Sequence, residues 1–357
     1  MAAEPGHTRT LDELRSADEP RFGGKSASLG ELLAAGIPVP PGFALSATAF
    51  HEYVAQAGLD QRIATALERT TGGDVEATAH AAHAIGETMR GAPVPERLRA
   101  EIGARYGTVA ERSGTEGPPM AVRSSALGED SAEATFAGQQ ETYLWVRGVD
   151  DIAAAVRDCW ASLYSTEAIS YRRRLAQGGG PAPSPAMGVT VQLMVDAAVS
   201  GVMFTCNPVS GDPSMVAINA SWGLGLAVVG GEVTPDDYLV SKITREVVRE
   251  TISTKQVQYV PAPGGRGTIR VEVEAGRRDV RCLQPATIGE LVAVARRVQT
   301  HFGVHQDIEW AITAGGDLFV LQSRPVTALA TPAPPPTVGS AMSMVMDTFG
   351  VRPKEDA

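Results

Sequence analysis

Hydrophobic and polar residues alternate most sharply near the end of the chain. Ile308, Trp310 and Ile312 are interleaved with Asp307, Glu309 and Ala311, the period-two pattern of a half-buried strand. Leu318–Gln322 is a second β-rich run, and Ala314-Gly315-Gly316-Asp317 between the two is a tight-turn signal. A hairpin closed on Gly315-Gly316 sets Glu309 opposite Gln322 and Asp307 opposite Arg324. Directly opposed side chains in an antiparallel pair have Cβ atoms roughly 4.5–5.5 Å apart. The face away from Trp310 then carries two carboxylates, one amide and one guanidinium. Two readings of that face stand side by side. One is a solvent-facing strand pair with a cross-strand ion pair. The other is a site, because carboxylate and amide oxygens suit Mg²⁺ and a planar guanidinium suits phosphate.

Upstream, the first third has a helical period. Ser26–Ala35 carries Leu29, Leu32 and Leu33 on one stripe, with Gly36 where a C-terminal cap belongs. A short strand is predicted at Phe43–Leu45, and Ser46 as the N-cap of a helix with Phe50, Tyr53 and Val54. Helices follow near Asp60–Thr71, Asp74–Arg90 and Pro95–Tyr106. Met120–Arg123 and Thr142–Val146 read as strands, and Asp151–Leu175 as one long helix with Ile152, Val156, Trp160, Leu163 and Tyr164 on its core face. Beyond the Gly/Pro-rich connector Gln177–Pro185 the texture turns to strands. They are expected at Gly188–Val195, Gly201–Thr205, Met215–Ala220 and Tyr238–Ser241, and more weakly through 247–260 and 268–274. Ile288–Phe302 is an amphipathic helix that delivers the chain to the hairpin. The expected division is a helix-rich first lobe over 1–119, a loop and long helix completing it over 120–186, a sheet-rich lobe over 187–327, and a Pro-rich linker and tail over 328–357. The apolar residues of that tail (Met342, Met344, Val345, Met346 and Phe349) read equally as a docking segment or a frayed end.

Composition narrows the function. The 357 residues have 43 % hydrophobic content and a net charge of −10, a soluble, globular balance that argues against nucleic acid or an anionic membrane as default partner. An anionic ligand would need a local positive patch, and only four lysines exist to build one: Lys25, Lys242, Lys255 and Lys354. Cys159, Cys206 and Cys282 have neither zinc spacing nor a disulfide framework, so buried thiols in a reducing cytoplasm are expected. No apolar run is long enough to span a bilayer, and the N-terminus has no signal-peptide core. His80 and His83 lie three apart amid alanines on a predicted helix, and read as ordinary surface or half-buried residues.

Two further stretches carry candidate chemistry. Gly23-Gly24-Lys25 precedes a helix, where backbone N–H groups and a lysine can approach phosphate, although the Walker spacing is missing. The small-residue stretch from Leu127 to Leu144 follows Arg123-Ser124-Ser125, and reads either as a loop closing over a polyanion or as a plain surface loop.

Several segments match one family's pattern in one order: Gly23-Gly-Lys25-Ser-Ala-Ser-Leu-Gly-Glu-Leu, Val122-Arg123-Ser-Ser, Phe136-Ala-Gly-Gln-Gln-Glu-Thr142, Val191-Gln192-Leu-Met194-Val, Cys206-Asn-Pro-Val-Ser-Gly, Asp307-Ile-Glu309-Trp and Leu321-Gln322-Ser-Arg324-Pro-Val-Thr. Over about residues 10–327 the chain resembles the N-terminal nucleotide-binding domain of phosphoenolpyruvate synthase, which pyruvate phosphate dikinase and rifampin phosphotransferase share. The resemblance implies an α+β, ATP-grasp-type fold with two lobes closing on ATP. It implies that Lys25 and Arg123 hold ATP phosphates, that Gly138, Gln139 and Thr142 belong to the loop over them, and that Gln192 and Met194 line the adenine pocket. Glu309 and Gln322 would bind Mg²⁺ and Arg324 the transferred phosphates, with Asp307 supporting. The family's complete enzymes add a swivelling domain with a phosphorylatable His, for which this chain has no room. The resemblance therefore implies an ATP-dependent phosphotransferase acting on a His of a separate protein, with AMP and phosphate released. An ATP-sensing subunit and a self-contained small-molecule kinase yielding ADP are the alternatives.

Overall fold

The computed structural model describes residues 6–68, 70, 74–127, 141–177 and 185–326. Within them the alternating stretches pair into two antiparallel sheets. The first holds β1 (Thr8–Thr10), β2 (Gly42–Leu45), β3 (Met120–Ala126), β4 (Thr142–Val146) and β5 (Met187–Leu193), in the order β1-β2-β5-β3-β4. The second holds β6 (Ala197–Phe204), β7 (Met215–Trp222), β8 (Asp236–Ser241), β9 (Val247–Thr251), β12 (Gln306–Thr313) and β13 (Leu318–Pro325), in the order β13-β12-β6-β7-β8-β9. Between β9 and β12 in the chain, β10 (Val257–Pro261) and β11 (Thr268–Glu272) form a two-stranded ribbon. Two antiparallel sheets with their helices, facing one cleft, give the α+β class expected from the sequence. The expected break at 186/187 does not coincide with the change of sheet, because β5 lies between β2 and β3. β5 is buried on both faces, which a central strand requires and an opening edge strand does not.

The helices are α1 (Glu19–Phe22), α2 (Gly24–Ala34), α3 (Ala47–Gln56), α4 (Asp60–Glu68), α5 (Val75–Gly91), α6 (Glu96–Ser113), α7 (Val149–Ala161), α8 (Thr166–Gln177), α9 (Leu226–Val229) and α10 (Pro285–Phe302). The single long helix expected over Asp151–Leu175 is two. A 3₁₀ turn (Ser162–Tyr164) ends α7, and the Ser165 hydroxyl accepts from the Ala168 N–H at 3.1 Å as the cap of α8. Serine competes with the helix for backbone hydrogen bonds, and here it wins. Ser46 stands at the N-cap of α3, but its hydroxyl bonds the Thr48 hydroxyl rather than a backbone amide. Gly36 closes α2 at φ +67°, and the Ile37 N–H bonds the Leu32 carbonyl, the wrap-around a glycine permits after a helix.

Two large cores result. One lies between the first sheet and α3–α8, with Tyr53 stacked on Trp160 at 5.3 Å. The other joins the inner face of β12 (Ile308, Trp310 and Ile312) to α10, and also to Leu29 and Leu32 of α2. The helix that follows Gly23-Gly24-Lys25 is therefore packed against the hairpin almost 300 positions away. The Ser28 hydroxyl fixes the alignment by donating to the Ser323 carbonyl at 2.8 Å. All three cysteines are free and buried. His80 and His83 are exposed on α5. Among the described residues no helix is long and apolar enough to cross a membrane.

Candidate functional site

The hairpin places Glu309 opposite Gln322 and Asp307 opposite Arg324, as expected, but by a different route. The turn is one residue longer than one closed on Gly315-Gly316: three residues, Ala314–Gly316, lie between the paired Thr313 and Asp317. The Thr313 N–H bonds the Asp317 carbonyl, Gly316 takes φ +91°, and Ile312 pairs with Leu318. Carried straight on, that register would set Leu321 opposite Glu309 and turn Gln322 onto the core face with Ile308. A bulge between Glu309 and Trp310 shifts the pairing by one residue. Leu321 is the extra residue on β13, and Gln322 and Arg324 both come to the cleft.

The cleft holds a cavity of about 540 Å³, within the usual size range of ligand pockets. Lys25, Arg123, Thr142, Gln192, Met194, Glu309, Gln322 and Arg324 all line it. Gly138 and Gln139 lie outside the described residues, as do most of the loop they belong to, part of the 177–185 connector and the tail beyond Val326. The first sheet presents Arg123 from β3, Thr142 from β4 and Gln192 from β5. The second presents Glu309 from β12 and Gln322 and Arg324 from β13. Lys25 comes from the first turn of α2. Gly23, at φ +81°, lets that helix start against β3: a Cβ there would lie 2.2 Å from the Ser125 carbonyl oxygen. Behind it, the Ser26 hydroxyl bonds that of Thr190 at 2.7 Å, so the helix start is tied to β5 as well.

The cavity has a polar and an apolar end. Met194, Val195, Leu224 and Ala311 belong to a small apolar cluster around Trp145. Trp145 reaches it at φ +59° in an irregular stretch of β4, a conformation uncommon for a residue with a side chain. The other end is charged. Three cations (Lys25, Arg123 and Arg324) and two carboxylates (Glu141 and Glu309) line the cavity in a chain whose net charge is −10. Along β12, Ala311 and Glu309 line the cavity, and Asp307 continues the same strand face beyond it, each step roughly 7 Å.

Two ion pairs organise the charged end. Asp307 Oδ2 accepts from both Nε and Nη2 of Arg324 at 2.9 Å, so carboxylate and guanidinium lock within one hairpin. Burial pushes the Asp307 carboxyl above its usual range, with Arg324 pulling it back and Glu309 adding to the rise. Its Oδ1 is buried with no hydrogen-bond partner. The second pair crosses the cleft: Arg123 Nη2 stands 3.5 Å from Glu309 Oε2, while Nη1 donates to the Leu321 carbonyl at 3.2 Å.

The donors fit a hard divalent cation. Glu309 and Gln322 face each other with a carboxylate and an amide oxygen, and the unsatisfied Asp307 oxygen is two residues away. Among the described residues no group of three or more His, Cys, Asp or Glu forms a metal cage. Oxygen donors such as those of Glu309 and Gln322 suit Mg²⁺, which keeps waters and shares substrate phosphates, better than they suit zinc. Sequence reasoning missed the Leu224–Val229 wall and Glu141. Glu141 lies within the Phe136–Thr142 family motif, from which only Gly138, Gln139 and Thr142 were assigned to the site.

The probable phosphoenolpyruvate synthase of Methanothermobacter thermautotrophicus is 40% identical over 319 residues, 89% of this chain and 46% of that protein. The phosphoenolpyruvate synthase of Pyrococcus furiosus is 38% identical over 357 aligned residues, 89% of this chain and 43% of its own length. The chain thus spans less than half of each of these relatives. Among solved structures, D-alanyl-alanine synthetase A from Vibrio cholerae aligns over 87% of this chain and 56% of its own at a TM-score of 0.31 and 13% identity, a likeness too slight to carry weight. The family described as pyruvate phosphate dikinase, AMP/ATP-binding domain, matches residues 19–342, and this chain belongs to it.

Proposed function

We propose that the chain binds Mg-ATP in the cleft and passes a phosphoryl group to a histidine on a separate protein. The observation that carries this reading is the grading of one cavity from an apolar end at Met194 and Leu224 to a cationic end at Lys25, Arg123 and Arg324. A flat base with a polyanionic tail is the ligand such a gradient suits. In this reading Gln192 and Met194 line the adenine end. Lys25, Arg123 and Arg324 hold the phosphates and act catalytically by neutralising charge. Gly138, Gln139 and Thr142 close over the phosphates, and Glu309 and Gln322 hold the metal. Bound Mg²⁺ would supply charge neutralisation at the phosphate oxygens. The chain's own residues do little covalent chemistry: they align donor and acceptor and stabilise the charge on the moving group. By the family pattern the acceptor nitrogen attacks the β-phosphorus, the bond to the α-phosphate oxygen breaks, AMP leaves, and the pyrophosphoryl-histidine then loses phosphate to water.

Arg324→Ala and Glu309→Ala test the assignment. Each should abolish transfer of label from β-³²P-ATP to a purified histidine-bearing partner while the thermal melt stays that of a folded protein. Wild-type labelling by either variant overturns it. Product analysis separates the rivals: ADP in place of AMP marks a small-molecule kinase, and nucleotide binding with neither product marks a sensor.

A further inference from the structure

The two ion pairs of the site differ in what they connect. Asp307 and Arg324 belong to one hairpin, and closing or opening the cleft leaves them together. Arg123 and Glu309 belong to different sheets. Their contact is long, 3.5 Å, at the outer limit of a hydrogen bond, although both side chains are mostly buried, at 14% and 28% exposed. Arg123 is also committed to the Leu321 carbonyl, the residue the bulge adds.

We infer that the Arg123–Glu309 pair is a specificity device that makes the cleft select a metal–polyphosphate complex over either component alone. This rests on the reading above, in which Arg123 takes phosphate and Glu309 takes metal. A polyphosphate without metal draws the guanidinium away and leaves the Glu309 carboxylate uncompensated beside added negative charge. A metal without polyphosphate takes the carboxylate and leaves Arg123 facing an added cation. When both arrive, each member of the pair exchanges one opposite charge for another, and no buried charge is stranded. The coupling is reciprocal: metal raises polyphosphate affinity by the same factor as polyphosphate raises metal affinity. Gln322, opposite Glu309, is neutral and adds a ligand oxygen without competing for Arg123.

The distinctive consequence is that removing either charge improves binding of the other's ligand. Calorimetric titration of the full chain with ATP in excess chelator should show Glu309→Gln binding metal-free ATP roughly five- to ten-fold more tightly than wild type. Titration with Mn²⁺ alone, followed by electron paramagnetic resonance, should show Arg123→Gln binding the cation more tightly than wild type by a similar factor. With both ligands present each variant should bind more weakly than wild type. A misfolded variant loses affinity and cannot imitate either gain. Equal or weaker binding of metal-free ATP by Glu309→Gln, with wild type binding Mg-ATP normally, overturns the inference and leaves the proposed function standing. A wild-type chain that binds no ATP with or without metal overturns both.

Discussion

Two cross-element ion pairs in this molecule have opposite designs. Lys255 and Asp236 are fully buried, with Nζ 2.5 Å from Oδ1. Lys255 also donates to the Ser253 carbonyl, and Asp236 accepts from the backbone N–H groups of Ser253 and Cys282. Backbone groups thus support both partners, and β8 is fastened to the segments before β10 and α10. Arg123 and Glu309 are longer apart, partly solvated, and lie in the cavity wall. The first pair has nowhere else to go; the second has room for other partners on the same face. Completeness of the hydrogen bonding, rather than charge, separates a fastening from a working contact. The lysines follow the same division. Lys242 donates to the carbonyls of Thr205 and Pro213 and to the Gln299 side chain, and burial lowers its pKa. Of the three described lysines, Lys25 is the one on the cavity.

The largest effect expected is at the fully buried pair. Lys255→Met leaves Asp236 buried without its counter-charge, and breaking such a pair costs about 3–5 kcal/mol. Denaturant unfolding should show that loss, while ATP affinity measured well below the melt stays within about two-fold, since neither residue touches the cavity. A cost below about 1 kcal/mol would remove the distinction drawn here. Arg123→Gln should show the inverse profile: a smaller stability loss than Lys255→Met, because the pair it breaks is longer and less buried, and Mg-ATP affinity down at least about ten-fold.

The sequence made much of this legible because the informative residues sit on regular elements. Period-two alternation around Trp310 located β12 and named the face of Glu309, and the pairs Glu309–Gln322 and Asp307–Arg324 are those observed. The turn behind those pairs was misread. The loop is longer by one residue, and a bulge at Leu321 restores the register. Bulges leave little trace in hydrophobic pattern, since they add a residue of any type. Ser165 ended a helix that periodicity carried through, because one capping hydroxyl outweighs apolar spacing. The place of β5 inside the first sheet was not readable either: its buried run fits a central strand of any sheet, and partner choice is a long-range property. The apolar end of the cavity was half visible. Met194 was named from the family pattern, whereas Trp145 joins the apolar cluster behind the cavity wall through a left-handed backbone conformation that no residue type announces.

A third pair lies between the two extremes, and it shows whether backbone donors or the counter-charge decide the outcome. Glu31 of α2 meets His301 of α10 at 3.1 Å, and also accepts from the Ser16 N–H at 2.8 Å and the Ser16 hydroxyl at 2.9 Å. The Ser16 N–H is the main reason its pKa falls below the ordinary 4.5, with burial opposing and the Ser16 hydroxyl and His301 assisting. A carboxyl whose folded-state pKa is depressed stabilises the fold above its unfolded value, and that contribution is lost as pH falls through the folded value. Glu31→Gln should therefore cost about 1 kcal/mol at pH 7, screening included. The difference from wild type should hold to about pH 5, shrink below 4.5 and close in more acid solution. His301→Gln should cost less than Glu31→Gln at every pH if the backbone donor dominates. Equal costs would mean that the counter-charge rather than the backbone sets the worth of a pair, and the contrast between Lys255–Asp236 and Arg123–Glu309 would have to be drawn from charge after all.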